Sequence, residues 1–238
     1  RRPVAMKLTQ HGQYLWQITR LGAFNCYLWQ EPDGLTLIDT NMGGSAADIL
    51  QAAKRIGQPI TRITLTHAHG DHAGSLDEVA KQLPGVEVAL ASRTSEFLQG
   101  NLNLRADEPQ AKLRGGFVQC TTQATRILTP GDKVGSLQVV AAPGHTPDHI
   151  AFFAERDGTL IAGDAFQTQA GTAVSGMIRW LFPFPAMATW HLATALATAV
   201  NLRHLNPTRL AVGHGRVLQN PAAAMDAAIR QAEAKVNA

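Results

Sequence analysis

The stretch THAHGDHAG, positions 66–74, packs His67, His69, Asp71 and His72 into six residues directly after the alternating apolar run ITRITL. The same side-chain types return three times further along: His145 in PGHT after LQVVAA, Asp164 in GD after TLIAG, and His214 in GHG after RLAVG. Imidazole nitrogens and carboxylate oxygens are ligands for divalent cations, and a catalytic zinc takes three protein ligands and leaves a position for water. Seven such ligands are the number required by two ions that share one bridging carboxylate, at a separation of about 3.5–4 Å. No sulfur is among them, so zinc is the first expectation, with manganese, iron or cobalt as alternatives.

Each of these groups follows a strand-like run, and strand ends are where loops carry function on a rigid scaffold. YLWQITR, AFNCYLWQ and LTLIDT read as strands, the last two joined by EPDG, in which Pro presets φ and Gly takes the left-handed position. SAADILQAAKRIG has helical apolar spacing, with Ser45 in the N-cap position and Gly57 at its end. The strand ITRITLT, the helix SLDEVAKQL stopped by Pro84 and Gly85, and the strand VEVALA follow. A polar, aperiodic stretch over about 94–125 reads as an internal linker. In the second half LQVVAA, IAFFAE and TLIAGD read as strands, with Asp157 and Gly158 turning the last two into a hairpin. Helices over about 190–205 and 222–236 flank the strand RLAVG. Two β-rich halves, each with helices, predict an α/β chain in which residues 1–238 form one domain. Its two sheets pack face to face with helices outside, a four-layer αββα sandwich.

Composition narrows the partners. At 238 residues and 45% hydrophobic content the chain can bury a large core. The net charge of +3 and pI of about 9.1 are spread over singly placed cations such as Lys7, Arg20, Lys54, Arg62, Arg93 and Arg114, with no interleaved aromatics, so a solvated basic surface is expected and not a nucleic-acid footprint. The apolar runs are too short to span a bilayer. RRPVAM carries two arginines with no apolar stretch of signal-peptide length behind it, which makes the cytoplasm the expected location. Cys26 and Cys120 lie far apart without metal-ligand spacing and read as two buried free thiols. The expected partner is a small-molecule substrate, with neither nucleic acid nor membrane.

HAHGDH at 67–72, PGHT at 143–146, GD at 163–164 and GHG at 213–215, in that order, resemble the signature of the metallo-β-lactamase superfamily. The resemblance implies the αββα fold and a binuclear site: His67, His69 and His145 on the first metal, Asp71, His72 and His214 on the second, and Asp164 bridging them. Two divalent ions, two carboxylates and a bridging hydroxide leave such a site net positive, which suits a developing oxyanion. Metal coordination lowers the pKa of water to about 7, so a metal-bound hydroxide attacking a carbonyl, or a phosphorus centre, is the implied nucleophile, with Asp71 or a bound water shuttling a proton.

Departures from subfamilies narrow the substrate. Enzymes that destroy β-lactams generally lack the bridging aspartate, and oxygen-reducing di-iron relatives have glutamate where His69 stands. Glyoxalase II-like thioesterases share the full ligand set but grip glutathione with a basic C-terminal region, whereas PAAAMDAAIRQAEAKVNA offers Arg230 and Lys235 alone. Quorum-quenching lactonases share the set too, but carry a tyrosine where Gln167 stands. A carboxylic ester or lactone, including an acyl-homoserine-lactone type, is therefore the expected substrate. A thioesterase, a phosphoester hydrolase and a metal-binding sensor without turnover are the alternatives.

Other polar groups keep two readings. Asp39, ending LTLID, either holds a ligand imidazole in its tautomer, as an acidic residue does in many relatives, or caps the turn before NMGG. His149 either orients a ligand or simply begins IAFFAE. His11, His191 and His204 read as ordinary surface or half-buried residues. The segment 165–191 leaves Asp164 and is rich in large apolar groups, with Pro183 and Pro185 opposing a regular helix. Trp180 and Phe182 are expected either to line an acyl pocket or to cover the core, and Gln167 to contact substrate.

Overall fold

A computed structural model describes residues 6–238; the five residues RRPVA, on which part of the N-terminal reading rests, lie outside the described residues. The first sheet holds seven strands in sequence order: β1 (Lys7–His11), β2 (Leu15–Arg20), β3 (Phe24–Glu31), β4 (Gly34–Ile38), β5 (Ile60–Thr64), β6 (Glu87–Ala91) and β7 (Arg126–Leu128). The first four run antiparallel as hairpins; from β4 onward the pairing is parallel, because helical crossovers intervene. The second sheet contains β8 (Lys133–Val134), β9 (Leu137–Ala141), β10 (Ile150–Ala154) and β11 (Thr159–Ile161). A small separate hairpin of β12 (Phe166–Gln167) and β13 (Ala173–Val174) follows. The second sheet is completed by β14 (Arg209–Ala211) and β15 (Leu218–Gln219), in the order β15-β14-β11-β10-β9-β8.

Side-chain alternation produces the layers. In β3, Cys26 and Leu28 join an apolar cluster with helices α1 (Ala46–Ile56), α3 (Leu76–Gln82) and α4 (Ser92–Leu98), while Tyr27 and Trp29 face the other way. Tyr27, Trp29 and Ile38 meet Val139, Phe152, Ile161 and Ala211 of the second sheet in a dry middle layer. Ala151, Leu160 and Leu210 turn outward onto α6 (Leu192–His204) and α7 (Ala222–Val236). Three apolar layers thus separate four layers of structure, the αββα sandwich. Two one-turn helices, α2 (Gly70–Ala73) and α5 (Phe184–Met187), sit at the rim where the ligand-type residues gather. Among the described residues no helix is long and apolar enough to cross a membrane.

Three local expectations change. Ser45 occupies the N-cap of α1, but its hydroxyl donates to Met42 O at 2.7 Å and makes no capping bond; the backbone of this tight NMGG turn uses it first. The stretch over 94–125 is no linker. It begins inside α4, and its later part is laid across the ligand loop: Gly70 N donates to Gly116 O at 2.8 Å, Val118 N to Ala68 O at 3.2 Å, and Leu113, Phe117 and Val118 pack on the core. Its polarity reflects one wet face, not independence from the fold. Pro183 and Pro185 do not exclude a helix: they stand at the N-cap and in the first turn of the one-turn α5, where proline is tolerated because no intrahelical donor is needed.

Candidate metal centre

β5 ends just before His67 and His69, and α2 immediately supplies Asp71 and His72, so four ligand-type residues share one strand end of the first sheet. The second sheet brings His145 between β9 and β10, Asp164 in the 3-10 turn after β11, and His214 after β14. A clamp joins the two groups. Asn25 of β3 donates from its side chain to Val212 O at 2.9 Å and to Gly215 O at 2.7 Å, and Tyr27 Oη donates to Val212 O at 2.6 Å. Gly213 is required there, because a Cβ would overlap Asp164 and His72.

Three sets of donor atoms lie within 4.8 Å of one another: His67–His69–His145, His67–His72–Asp164 and Asp71–His72–His214. His69 Nδ1 is 3.1 Å from both His67 Nε2 and His145 Nε2. Asp164 stands between the sets, with Oδ2 3.3 Å from His145 Nε2 and 3.0 Å from His214 Nε2, and Oδ1 3.3 Å from His72 Nε2. Asp71 Oδ2 lies 3.3 Å from His214 Nε2.

The outer hydrogen bonds fix which ring nitrogens are bare. His69 Nε2 is 3.0 Å from the carbonyl of Arg114, which can only accept, so the proton is on Nε2 and the Nδ1 lone pair faces inward. Thr66 Oγ1 donates to Asp39 Oδ2 at 2.9 Å; its single proton is spent, so it accepts from His67 Nδ1 at 3.0 Å. Thr189 Oγ1 donates to Pro185 O at 2.8 Å, accepts from Ser175 Oγ at 2.8 Å, and Ser175 in turn accepts from His145 Nδ1 at 2.9 Å. All three inner nitrogens therefore present lone pairs to one another at hydrogen-bond distance with no proton between them. Such a cluster is repulsive unless a cation occupies its centre, and in this sense the residues fit a metal ion.

The second set is ionic. Burial works against charge on His72 and His214, but Asp164 and the other carboxylates outweigh it, raising His72 well above its ordinary value and His214 to about 9. Burial likewise opposes ionisation of Asp71 and Asp164, yet the neighbouring imidazoles hold both carboxyls low. His67, His69 and His145 move the other way: burial keeps them neutral. His72 Nε2 and Asp164 Oδ1 face each other at 3.3 Å as a buried ion pair inside the cluster, and neither has a hydrogen-bond partner elsewhere. Zinc-type ligands at these positions would exchange protons for the ion.

A cavity of about 300 Å³ opens over the cluster, lined by His69, Asp71, His145, Asp164 and His214 on one side and by Gly115, Gly116, Phe184, Pro185, Met187 and Ala188 on the other. Gln167, Trp180 and Phe182 are not in its wall. Gln167 is buried in β12 with Oε1 unpartnered, Trp180 stands in solvent, and Phe182 packs edge-on to Phe24, centroids 6.0 Å apart, and tilted against the His214 ring at 5.4 Å. Asp39 accepts from His72 Nδ1 at 2.8 Å and from Thr66 N at 2.7 Å. His149, just before β10, accepts the backbone N–H of Asp164 at 3.0 Å, and burial holds its pKa at about 3, as an acceptor requires. His191 caps α6 by accepting from Thr194 N. Sequence reasoning missed Asn25, Thr66, Ser175, Thr189 and Asp148, whose carboxylate accepts Ala68 N between the two ligand histidines at 3.0 Å. Asp148, inside PGHTPDH, had a signal in its neighbours; Ser175 and Thr189 lie in an aperiodic segment and had none. Both cysteines are free, Cys26 buried and Cys120 half-buried in place of the two buried thiols expected; burial pushes the thiol of Cys26 far up and that of Cys120 to about 11, away from the reactive thiolate form.

Residues 20–214 match the model of the metallo-beta-lactamase superfamily. YobT of Bacillus subtilis, an uncharacterized protein, is 47% identical over 232 residues, 96% of this chain and 99% of that one. A probable metallo-hydrolase of the same organism, YflN, is 30% identical over 203 residues, covering 78% and 76%. A hydroxyacylglutathione hydrolase of Xanthomonas campestris is 29% identical over 213 residues, covering 82% and 72%. Among solved structures, the mono-zinc form of the metallo-beta-lactamase FIM-1 from Pseudomonas aeruginosa superposes with a TM-score of 0.73 at 18% identity, over 99% of this chain and 98% of that one, a likeness of fold.

Proposed function

Because the chain belongs to the metallo-β-lactamase superfamily, we propose that it is a two-metal hydrolase that opens carboxylic esters or lactones, acyl-homoserine-lactone-type rings among them. The observation that carries this reading is the position of Asp164, within 3.3 Å of donor nitrogens from both histidine sets. His67, His69 and His145 would hold one ion, Asp71, His72 and His214 the other, and Asp164 both. When bound, the ions would supply Lewis acidity to a carbonyl oxygen and lower the pKa of water to about 7.

The chain's own residues do the rest. The relay from His145 through Ser175 and Thr189 to Pro185 O, and the bond from His72 to Asp39, keep the donor atoms aimed before any ion arrives, so little reorganisation is left to the reaction. Asp71 faces the cavity, is partly exposed, and is held ionised against its burial by His72 and His214. It is placed to take a proton and return it to a leaving oxygen. Phe184, Pro185 and Met187 give the cavity an apolar wall suited to an acyl chain or ring carbon skeleton.

A thioesterase reading draws on the hydroxyacylglutathione hydrolase likeness. A panel of lactones, aryl esters, glutathione thioesters, β-lactams and phosphoesters, assayed with metal-loaded protein before and after chelation, separates the readings. Chelator-sensitive turnover strongest on lactones and esters supports the proposal. Preference for the glutathione thioester moves the assignment, and tight metal binding with no turnover in the panel supports a sensor.

A further inference from the structure

Beside the cavity mouth, Ile178, Trp180 and Leu181 form an exposed apolar face that neither lines the cavity nor joins the core. Phe182 N donates to Arg179 O at 2.8 Å, closing a turn with Trp180 and Leu181 at its tip, 86% and 91% exposed. Turn tips are ordinarily Gly, Pro, Asn, Asp or Ser, so a Trp-Leu pair there departs from the usual chemistry of turns. Ile178, Phe184 and Met187 are also exposed, extending the patch to the cavity wall. The turn is anchored: Phe182 packs against both Phe24 and His214, and Arg179 reaches Gln231 of α7 at 2.8 Å. Rigid support leaves the two side chains held outward by construction, where a free loop would fold them back onto the protein.

The surroundings are cationic. From Ala165 to Met225, and again from Pro109 to Gly131, the sequence contains no Asp or Glu. Arg114 shares a cleft with Ile178 and Met187, Lys112 follows the residue whose carbonyl accepts Trp190 Nε1 at 3.1 Å, and Arg179 lies in the turn itself. Among the described residues none of these three has a carboxylate within ion-pair distance. A second copy brought onto this face by a twofold would set these cations against one another, with no acid from either stretch to pair them. An apolar tip within an uncompensated cationic rim matches an anionic phospholipid surface, where the ring and aliphatic side chains enter the interface and the cations meet phosphates.

We propose that this face docks the protein onto anionic phospholipid bilayers, with the cavity mouth turned toward the lipid. The absence of a spanning segment, on which the expectation of no membrane partner rested, does not bear on peripheral docking. The docking is independent of the reaction assigned above, because it is read without substrate.

The test is flotation of metal-loaded protein with vesicles of phosphatidylglycerol and phosphatidylcholine, against vesicles of phosphatidylcholine alone. Wild type is expected to float with the anionic vesicles and to be released by high salt, and Trp180→Ser/Leu181→Ser is expected to lower partitioning about tenfold or more. The double variant should keep its metal content and thermal midpoint, since both side chains already face water. Lys112→Ala/Arg114→Ala should weaken binding to anionic vesicles alone. No flotation of wild type, or flotation unchanged in the double serine variant, overturns the proposal. So does a concentration-dependent dimer in sedimentation that the double serine variant abolishes while vesicle binding is absent.

Discussion

Asp39 and His72 form a buried pair in which the Nδ1–H of the imidazole donates to Oδ2 at 2.8 Å, which aims Nε2 into the cluster. Asp39 does this from a left-handed backbone, φ 62°, a conformation a non-glycine residue adopts at a cost, and Thr66 N and Oγ1 hold its carboxylate in place. Asp39→Ala is expected to weaken divalent-metal affinity about 10–100-fold, and Asp39→Asn to weaken it as well, because an amide that keeps its oxygen on Thr66 N turns its NH2 toward His72 Nδ1. Competition with a chromophoric chelator measures this, and equal affinity in wild type and Asp39→Ala would contradict it.

The Ser175–Thr189 relay makes a parallel prediction for the other set. Ser175→Ala or Thr189→Val frees the His145 ring to take the wrong tautomer, and metal affinity should fall by a similar factor. Thr189→Ser retains the hydroxyl and should restore it. Loss in both Thr189 variants would mean that the methyl group packs the segment and the hydroxyl does nothing for His145.

The metal-free protein should have a distinctive pH dependence. His214 is raised to about 9, chiefly by Asp164 against its burial, and His72 is raised as well. A cation whose folded pKa exceeds its unfolded value of about 6.5 contributes stability that is fully present below 6.5 and lost as pH rises through 9. For His214 alone the loss is on the order of 3 kcal/mol. Thermal melts in excess chelator should decline from pH 6.5 to 9.5, and added metal, which replaces the protons, should flatten that decline. An apo midpoint constant across this range would rule the charged pair out.

Asp148 carries the opposite sign. Burial raises its carboxyl to about 6, and Oδ1 has no partner, so the folded state loses stability as pH rises from about 4 through 6. Asp148→Asn keeps the acceptor for Ala68 N and removes the buried charge. Denaturant midpoints should show the variant more stable at pH 7 by up to about 3 kcal/mol, with the difference vanishing near pH 4.

The layers of the fold were legible because strands such as β3 write their two faces in alternation, Cys26 and Leu28 against Tyr27 and Trp29, and because α1 and α7 keep helical spacing. The donor residues were legible because His67, His69, Asp71 and His72 crowd one short stretch, and the others stand in short motifs at strand ends. What holds them was not. Asn25 acts across 187 residues on Val212 O, and Ser175 and Thr189 reach His145 from an aperiodic segment; such contacts depend on how separate strands meet and leave no local pattern. The 94–125 stretch departs from the expectation for the same reason: it meets Ala68 and Gly70 through its backbone, and the His69 ring through the Arg114 carbonyl and Phe117, contacts that no local pattern records.

The measurement that bears most directly on the account is the number of divalent ions per chain, by mass spectrometry, in wild type and in Asp164→Ala after loading and dialysis, with lactone or ester turnover read on the same samples. Wild type should hold about two ions, and the variant, lacking the carboxylate shared by both histidine sets, should hold fewer and turn over nothing. Two ions retained by Asp164→Ala with unchanged turnover would contradict it.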